Sequence, residues 1–256
     1  MIKENLRTAD SNIFEGMISF RAVIEAIESG KSDRRIEHVV YDKARTKKLA
    51  GHLSYIRAMS YKHNFEVNEA DVSQIDAAAV GSQHGGVLTY CSERTYPKLT
   101  PDALQGSGFF VYLEGVEDPY NFGYAVRSIY AAGADGIILP EHNWLSAAGV
   151  VCRASAGAAE LCDFYTADSE SLIAAAHSQG YSLICADLKN SRPVYEVTMK
   201  RPLILAVGGE KRGLTKALLD SADMIVRLEY GRDFPNALSA ASAASILAFE
   251  VLRRTM

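Results

Sequence analysis

Two rhythms of apolar residues alternate along the chain. Short apolar runs rich in β-branched and aromatic residues mark strands, and apolar positions three or four apart mark helices. In the first part, EGMISFRAVIEAIESGK places Val23, Ile24 and Ile27 on one helix face that ends at Gly30. The strand IEHVVYD follows, then a basic helix from about Ala44 to Ser60. NFEVNEADVSQID and HGGVLTYC then add strand, helix and strand. In the second part, strands are predicted near 109–113, 136–139, 182–186, 203–207 and 224–228. Helices are predicted near 119–132, 169–178, 215–221 and 237–254. Such alternation implies an α/β protein: a small α/β domain followed by a mostly parallel sheet covered by helices. SERTYPKLTPDALQGS, with two prolines, serines and glycine, reads as a connection. The expected organisation is a first domain over 1–95, a linker over 96–107 and a second domain over 108–256.

Composition narrows this only in places. A chain of 256 residues with 48% hydrophobic content can bury a sizeable core in two domains. No stretch approaches the roughly 20 apolar residues of a membrane span, and the start MIKENLRTADSN has no signal-peptide core, which points to the cytoplasm. Cys91, Cys152, Cys162 and Cys185 are scattered without a CxxC pair, so buried thiols are expected and a metal site is not. The net charge of −4 argues against a nucleic-acid partner, but its distribution does not. From Lys31 to His63 nine Lys and Arg (31, 34, 35, 43, 45, 47, 48, 57, 62) face three acids, a local balance of +6. That asymmetry fits a segment that meets a polyanion, or equally a solvated basic face.

The candidate chemistry starts at EGVEDPYNFGYAVR. Asp118 is a plausible N-cap, Pro119 sits in the first helical turn, and Phe122, Val126, Ile129 and Tyr130 follow at helical spacing before Gly133. The turn thus lies at the carboxyl end of a strand, where open α/β sheets bind ligands. Asn121 falls in the first turn, and Gly123 lies one turn ahead of Arg127 on the same face. Taken alone, this is a capped helix with a solvated arginine. LILAVGGEKRGLTKALL runs a buried strand into Gly208, Gly209 and Glu210, with Gly213 before the next helix. Glycines there permit close backbone approach to a ligand. MIVRLEYGRDFPNALSAASAASILAFEVLRR is a strand, a loop and a helix crowded with Ala and Ser, suited to tight packing or simply to helix stability. Neither half opens on GxGxxG, and no P-loop is present.

Together, EDPYNFGYAVRSIYAAG, VGGEKRGL and RLEYGRDFPNALSAASAASILAFE resemble the three ordered motifs of the SpoU/TrmH-type (SPOUT) RNA methyltransferases. CRASAGAAELCDF resembles the family's Ser/Ala-Gly-Ala stretch. EGMISFRAVIEAI and QIDAAAVGSQHGGVLTYC are similar to the ends of the ribosomal-protein-like substrate domain carried by its 23S rRNA guanosine ribose methyltransferases. The resemblance implies a trefoil-knotted α/β domain, an exception to unknotted chains. It further implies S-adenosylmethionine as cofactor, a homodimer through the knotted domain, and methyl transfer to a ribose 2′-hydroxyl of rRNA or tRNA. Carried over by position, Asn121 and Arg127 match the first motif, and Gly208, Glu210 and Gly213 match GxExxG. Leu228 and Leu238 fall on the apolar residues of the third motif. The catalytic residues implied are Arg127, Glu210 and Asn121, with Glu210 and Asn121 fixing the arginine's fork. Gly208, Gly213, Leu228 and Leu238 are implied as cofactor contacts. A guanidinium keeps its proton, so Arg127 would polarise the hydroxyl or stabilise developing alkoxide. The third motif departs from the family pattern, since Leu228-Glu229-Tyr230 stands for Ile-Pro-Met and Ala237-Leu238-Ser239 for Ser-Leu-Asn; a rival placement sets Asn236, with Pro235 beside it, in the asparagine's role. Base methylation, and an RNA-binding or assembly factor with weak or no transferase activity, are the alternative readings.

Overall fold

A computed structural model describes residues 12–82, 84–141 and 147–255. In chain order its elements begin with β1 (Ile13–Glu15), α1 (Gly16–Glu28), β2 (Ile36–Asp42), α2 (Ala50–His63), β3 (Glu66–Ala70), α3 (Val72–Ala78) and β4 (Val87–Cys91). Next come β5 (Phe109–Glu114), α4 (Pro119–Ala131), β6 (Gly136–Leu139), α5 (Ala148–Ala154), α6 (Ala158–Leu161) and β7 (Phe164–Thr166). The last are α7 (Ser169–Ser178), β8 (Ser182–Ala186), β9 (Arg192–Pro193), β10 (Leu203–Gly208), α8 (Lys216–Asp220), β11 (Met224–Arg227) and α9 (Ala240–Thr255). The described residues gather into two units. One comprises those within Met1–Thr95 and Leu145–Leu161, the other those within Tyr96–Trp144 and Cys162–Met256. No described helix is long and apolar enough to cross a membrane.

The first unit is built on a four-stranded sheet ordered β1-β4-β2-β3, with β2 and β3 parallel and the other pairs antiparallel. Phe20, Val23 and Ile24 of α1 and Leu53 and Ile56 of α2 pack with Val39 and Val87 of the sheet. Helices α5 and α6 fold into this unit through buried charge. Arg34 donates to Glu160 at 3.0 Å, to Asn12 Oδ1 at 3.0 Å and to the Ser92 carbonyl at 2.7 Å. Glu15 accepts the N–H groups of Val80 and Gly81 and pairs with Arg153. A Cβ at Gly157, where φ is +93°, would lie 2.7 Å from Ala22 Cβ, so α1 and the α5–α6 turn meet at glycine distance.

Two expectations for this unit change. The basic helix expected from about Ala44 begins later. Asp42 accepts the Ala44 N–H and sets a 3₁₀ turn at Lys43–Arg45, α2 opens at Ala50, and Asn64 ends it in the left-handed conformation. Arg34, counted among the surface cations, is 2% exposed and belongs to the core.

The second unit is a seven-stranded sheet ordered β7-β6-β5-β10-β8-β11-β9, parallel at every pairing. Parallel strands are covered on both faces, which is why β5 and β10 are continuous apolar runs rather than alternating ones. The chain leaves β5 toward β6, whereas β10 inserts between β5 and β8 and continues to β11. That reversal makes a topological switch point at the carboxyl ends of β5 and β10. The five predicted strands match β5, β6, β8, β10 and β11 within a residue or so, while β7 and β9 lie outside the predicted set. Of the predicted stripe on α4, Phe122, Val126 and Ile129 are buried, but Tyr130 is exposed and Ala125 takes the inner position. α9 begins at Ala240 rather than 237. Residues 97–99, inside the expected connection, run along the β7 edge, where Leu99 N–H donates to the Thr166 carbonyl and Thr166 N–H to the Pro97 carbonyl. All four cysteines are free and buried; burial raises the thiols of Cys91 and Cys152 and pushes Cys185 up to about 12.

Arg34→Met would leave Glu160 buried without its counter-charge. The expected loss is about 3 to 5 kcal/mol of stability for the first unit, read from its denaturant midpoint. A loss below about 1 kcal/mol would show the pair to be dispensable.

Candidate active site

Three loops leave the carboxyl ends of neighbouring strands in the second unit: 186–189 after β8, 208–213 after β10 and 227–230 after β11. With residues 237–247 they enclose a cavity of about 310 Å³, at the lower end of the ~300–1,000 Å³ of small-ligand sites. Val207, Val226, Leu228, Leu238 and Leu247 supply apolar walls, and Asp187 and Glu210 supply carboxylates.

The 208–215 turn is pinned from β5. Gly209 N–H donates to the Glu114 carbonyl at 2.6 Å, and Thr215 N–H donates to the Glu114 carboxylate at 2.7 Å. Gly213 N–H closes the turn on the Gly209 carbonyl at 3.0 Å, with Gly213 at φ +65°. There is no room for side chains here. A Cβ at Gly208 would stand 2.5 Å from Leu214 N and 2.7 Å from Gly213 Cα, and one at Gly209 would meet the Gly115 carbonyl. The glycines are therefore set by packing of backbone on backbone.

Glu210 is the junction of the site. Its Oε1 accepts the Ala240 N–H at the start of α9 (3.2 Å) and the side-chain amide of Asn121 at the start of α4 (3.4 Å). Asp118 caps α4 by accepting the Asn121 N–H at 2.7 Å, with Pro119 in the first turn. One carboxylate thus links the β10 turn to two helix N-termini, whose free N–H groups favour negative charge.

Gly208, Glu210, Gly213, Leu228 and Leu238 all line the cavity, and Asn121 is bonded to its rim through Glu210. Arg127 is exposed on α4, and among the described residues no hydrogen bond or ion pair holds its guanidinium. The fork that Asn121 and Glu210 were to fix is thus not bonded to either. Sequence reasoning passed over Asp187, whose Oδ1 accepts the Lys189 N–H at 2.7 Å, and Tyr230, whose hydroxyl accepts the Leu238 N–H at 3.1 Å. Asp187 ends an apolar strand and could have been found as a strand-end carboxylate; Tyr230 had no signal beyond its misfit to the third motif. Among the described residues no group of His, Cys, Asp and Glu could hold a metal ion.

A wholly parallel sheet whose carboxyl-end loops bring three separated sequence segments around one cavity is the architecture of the SPOUT class of RNA methyltransferases. The chain belongs to the SpoU rRNA methylase family, whose model matches residues 108–249. It is 24% identical to a 23S rRNA (guanosine-2′-O-)-methyltransferase of Xylella fastidiosa over 93% of this chain and 96% of the relative. In structure it resembles the AdoMet-bound rRNA methyltransferase from Sinorhizobium meliloti, with a TM-score of 0.78 and 24% identity over 96% of this chain and 88% of that one. It also resembles the SpoU methyltransferase AviRb from Streptomyces viridochromogenes, with a TM-score of 0.74 and 18% identity over 96% of this chain and 91% of the other.

Gly208→Ala should abolish ligand binding at the cavity and lower the melting temperature, because the methyl group has only backbone to displace. Calorimetry with S-adenosylmethionine and a melting curve check this; wild-type affinity in the variant would show that the turn can yield.

Proposed function

We propose that the chain transfers a methyl group from S-adenosylmethionine to a ribose 2′-hydroxyl of rRNA or tRNA, in the cytoplasm, with Arg127, Glu210 and Asn121 at the reacting centre. The observation that carries this reading is the Glu210 junction. It gathers the first, second and third motifs at one apolar cavity in an RNA-methylase family member.

The residues present fit the cofactor. The cavity is nucleoside-sized, the cradle at Gly208 is one a Cβ would fill, and the lining carries both carboxylates (Asp187, Glu210) and cations (Lys189, Arg227), as suits a zwitterionic ligand. Gly208, Gly213, Leu228 and Leu238 would hold it. When bound it supplies a sulfonium leaving group already activated for transfer. The chain's own task is then to position a hydroxyl and ease the loss of its proton. Arg127 cannot serve as a base, because a guanidinium stays protonated; it donates toward the hydroxyl and stabilises negative charge that develops there, while a phosphate oxygen of the RNA takes the proton. Glu210 and Asn121 hold the starts of α9 and α4 in place, and so set where the helix carrying Arg127 stands relative to the cavity.

The reading extends to assembly. Tyr120 and Tyr124 of α4 and Ile246 and Phe249 of α9 are exposed, and the two helices pack together. An apolar surface on that pair supports a homodimer built on this unit, and the trefoil threading that the family resemblance implies belongs to the same proposal. In the first unit, Lys47, Lys48 and Arg57 are exposed with no acidic partner among the described residues, whereas Lys43, Arg45 and Lys62 pair with Asp71, Asp42 and Glu28. Tyr61, one turn along α2 from Arg57, is 94% exposed. Unpaired cations and an exposed aromatic ring in one unit support residues 1–95 as the RNA-binding part.

Labelled S-adenosylmethionine and total RNA, followed by nuclease digestion and mass spectrometry, test the activity. A 2′-O-methylnucleoside is the expected product, and a methylated base or no product would overturn the proposal. Arg127→Lys keeps the charge but loses the planar fork, so single-turnover methylation should fall on the order of a hundredfold with cofactor affinity unchanged. Near-normal turnover in that variant would return Arg127 to the status of a surface cation.

Reversing Lys47, Lys48 and Arg57 together should leave cofactor binding intact and weaken RNA binding. It should also flatten the slope of log affinity against log salt by roughly 2 to 3. An unchanged slope would place the RNA elsewhere.

A further inference from the structure

We infer that Tyr230 is a ligand-binding residue of this cavity, its hydroxyl held by the Leu238 N–H and presenting its own proton to an acceptor atom of the cofactor's adenosine moiety. The inference rests on the proposed S-adenosylmethionine site and names a contact within it.

The loop that carries Tyr230 is almost untethered. Residues 231–237 are all exposed, and among the described residues no backbone hydrogen bond joins them. Its two ends are nevertheless joined, because Leu238 N–H donates to Tyr230 Oη at 3.1 Å. The Tyr230 ring is steadied against Phe234, the centroids 6.1 Å apart and the rings tilted by 59°. Both Tyr230 and Leu238 line the cavity.

A phenol that accepts one N–H still carries one O–H to donate. No acceptor for that proton is found among the described residues, where the one hydrogen bond of Tyr230 Oη is that accepted from Leu238 N–H. Arg227, the cation beside Tyr230, is tied to the Ser191 carbonyl and to Glu229. Tyr230 is therefore an oriented donor in a cavity whose apolar walls are Val207, Val226, Leu228 and Leu247. Neither a sulfonium nor an ammonium can accept from it; the carboxylate of the amino-acid end can, but a charged group is poorly matched to the apolar side of the cavity. The unprotonated ring nitrogens of adenine can, and a planar base suits apolar walls. Leu238, with its N–H already engaged, then offers a ligand only its carbonyl and its side chain.

Tyr230→Phe keeps the ring and removes the hydroxyl, and calorimetry with two probes reads the result. S-adenosylmethionine and 5′-methylthioadenosine, which lacks the amino-acid end, should both bind about three- to tenfold more weakly to the variant. The Leu238 amide should also exchange its hydrogen faster, since its acceptor is gone. Unchanged affinity with faster exchange would overturn the ligand role and leave only a loop tether. Tighter binding would mean that the hydroxyl competes with the ligand, and weakening confined to S-adenosylmethionine would move the contact off the nucleoside; either overturns the assignment. Wild-type protein that binds neither probe would overturn the cofactor reading itself, an outcome distinct from all of these.

Discussion

Backbone lies on backbone where the turn after β10 crosses the end of β5, and the site depends on that crossing. Gly209 donates to the Glu114 carbonyl at 2.6 Å, and a Cβ there would strike the Gly115 carbonyl. Gly208 faces the return of its own turn at Gly213 and Leu214 just as closely. Glycine loses more conformational freedom on folding than any other residue, by roughly 0.5–1 kcal/mol relative to alanine within regular structure. A chain that places glycines at 208 and 209 accepts that cost because no other residue fits the spacing, and at 213 and 115 because φ there is +65° and +71°. The Glu114 carboxylate then fixes the far end of the turn through Thr215 N–H. Glu210 is delivered to a defined point between the starts of α4 and α9, and the cavity forms beside it.

Much of this was legible in the sequence. Parallel strands buried on both faces read as unbroken apolar runs, and Phe109–Leu113 and Leu203–Val207 contain nothing else. The Asp118-Pro119 start of α4 was visible because capping is a local property of a few adjacent residues. The gathering of Gly208, Glu210, Leu228 and Leu238 was reached only through motif resemblance, since no periodicity ties residues so far apart. The misses have physical causes. Arg34 looked like a surface cation because its partner, Glu160, lies 126 positions away. Helices α5 and α6 join the first unit through Arg153 on Glu15 and Glu160 on Arg34, pairings that leave no local trace. Tyr130 sits one residue past Ile129, and a helix turns about 100° per residue, which carries it out of the apolar stripe.

The altered third motif takes on a physical sense in this geometry. A proline in the family pattern would stiffen the chain after β11; here Glu229 stands in that place, and the loop from Gly231 to Ala237 runs exposed without internal backbone bonds. Stiffness is restored at another point. The Tyr230 hydroxyl receives Leu238 N–H, and α9 opens on the Glu210 carboxylate through Ala240 N–H. The loop is thus held at its two ends by side-chain oxygens rather than along its length by a ladder. Closing a loop costs entropy that rises only slowly with its length, so two good anchors can define both ends while the middle varies.

The separation of Arg127 from Glu210 bears on the chemistry. An arginine bound to a carboxylate has its fork already filled and must exchange one partner for another to act on a hydroxyl. Arg127 has no such bond among the described residues, so all its donors remain available. It has a cost: an unrestrained arginine carries about 2 kcal/mol of rotamer entropy, which must be surrendered when it is ordered. RNA can supply the ordering, because phosphate and ribose oxygens match the planar fork in two-pronged fashion. Glu210 and Asn121 build the frame, and under the proposed role the substrate would complete the active geometry around Arg127. If Arg127 has the proposed role, an enzyme so arranged would assemble its reacting centre only when RNA is present, linking methyl transfer to correct docking.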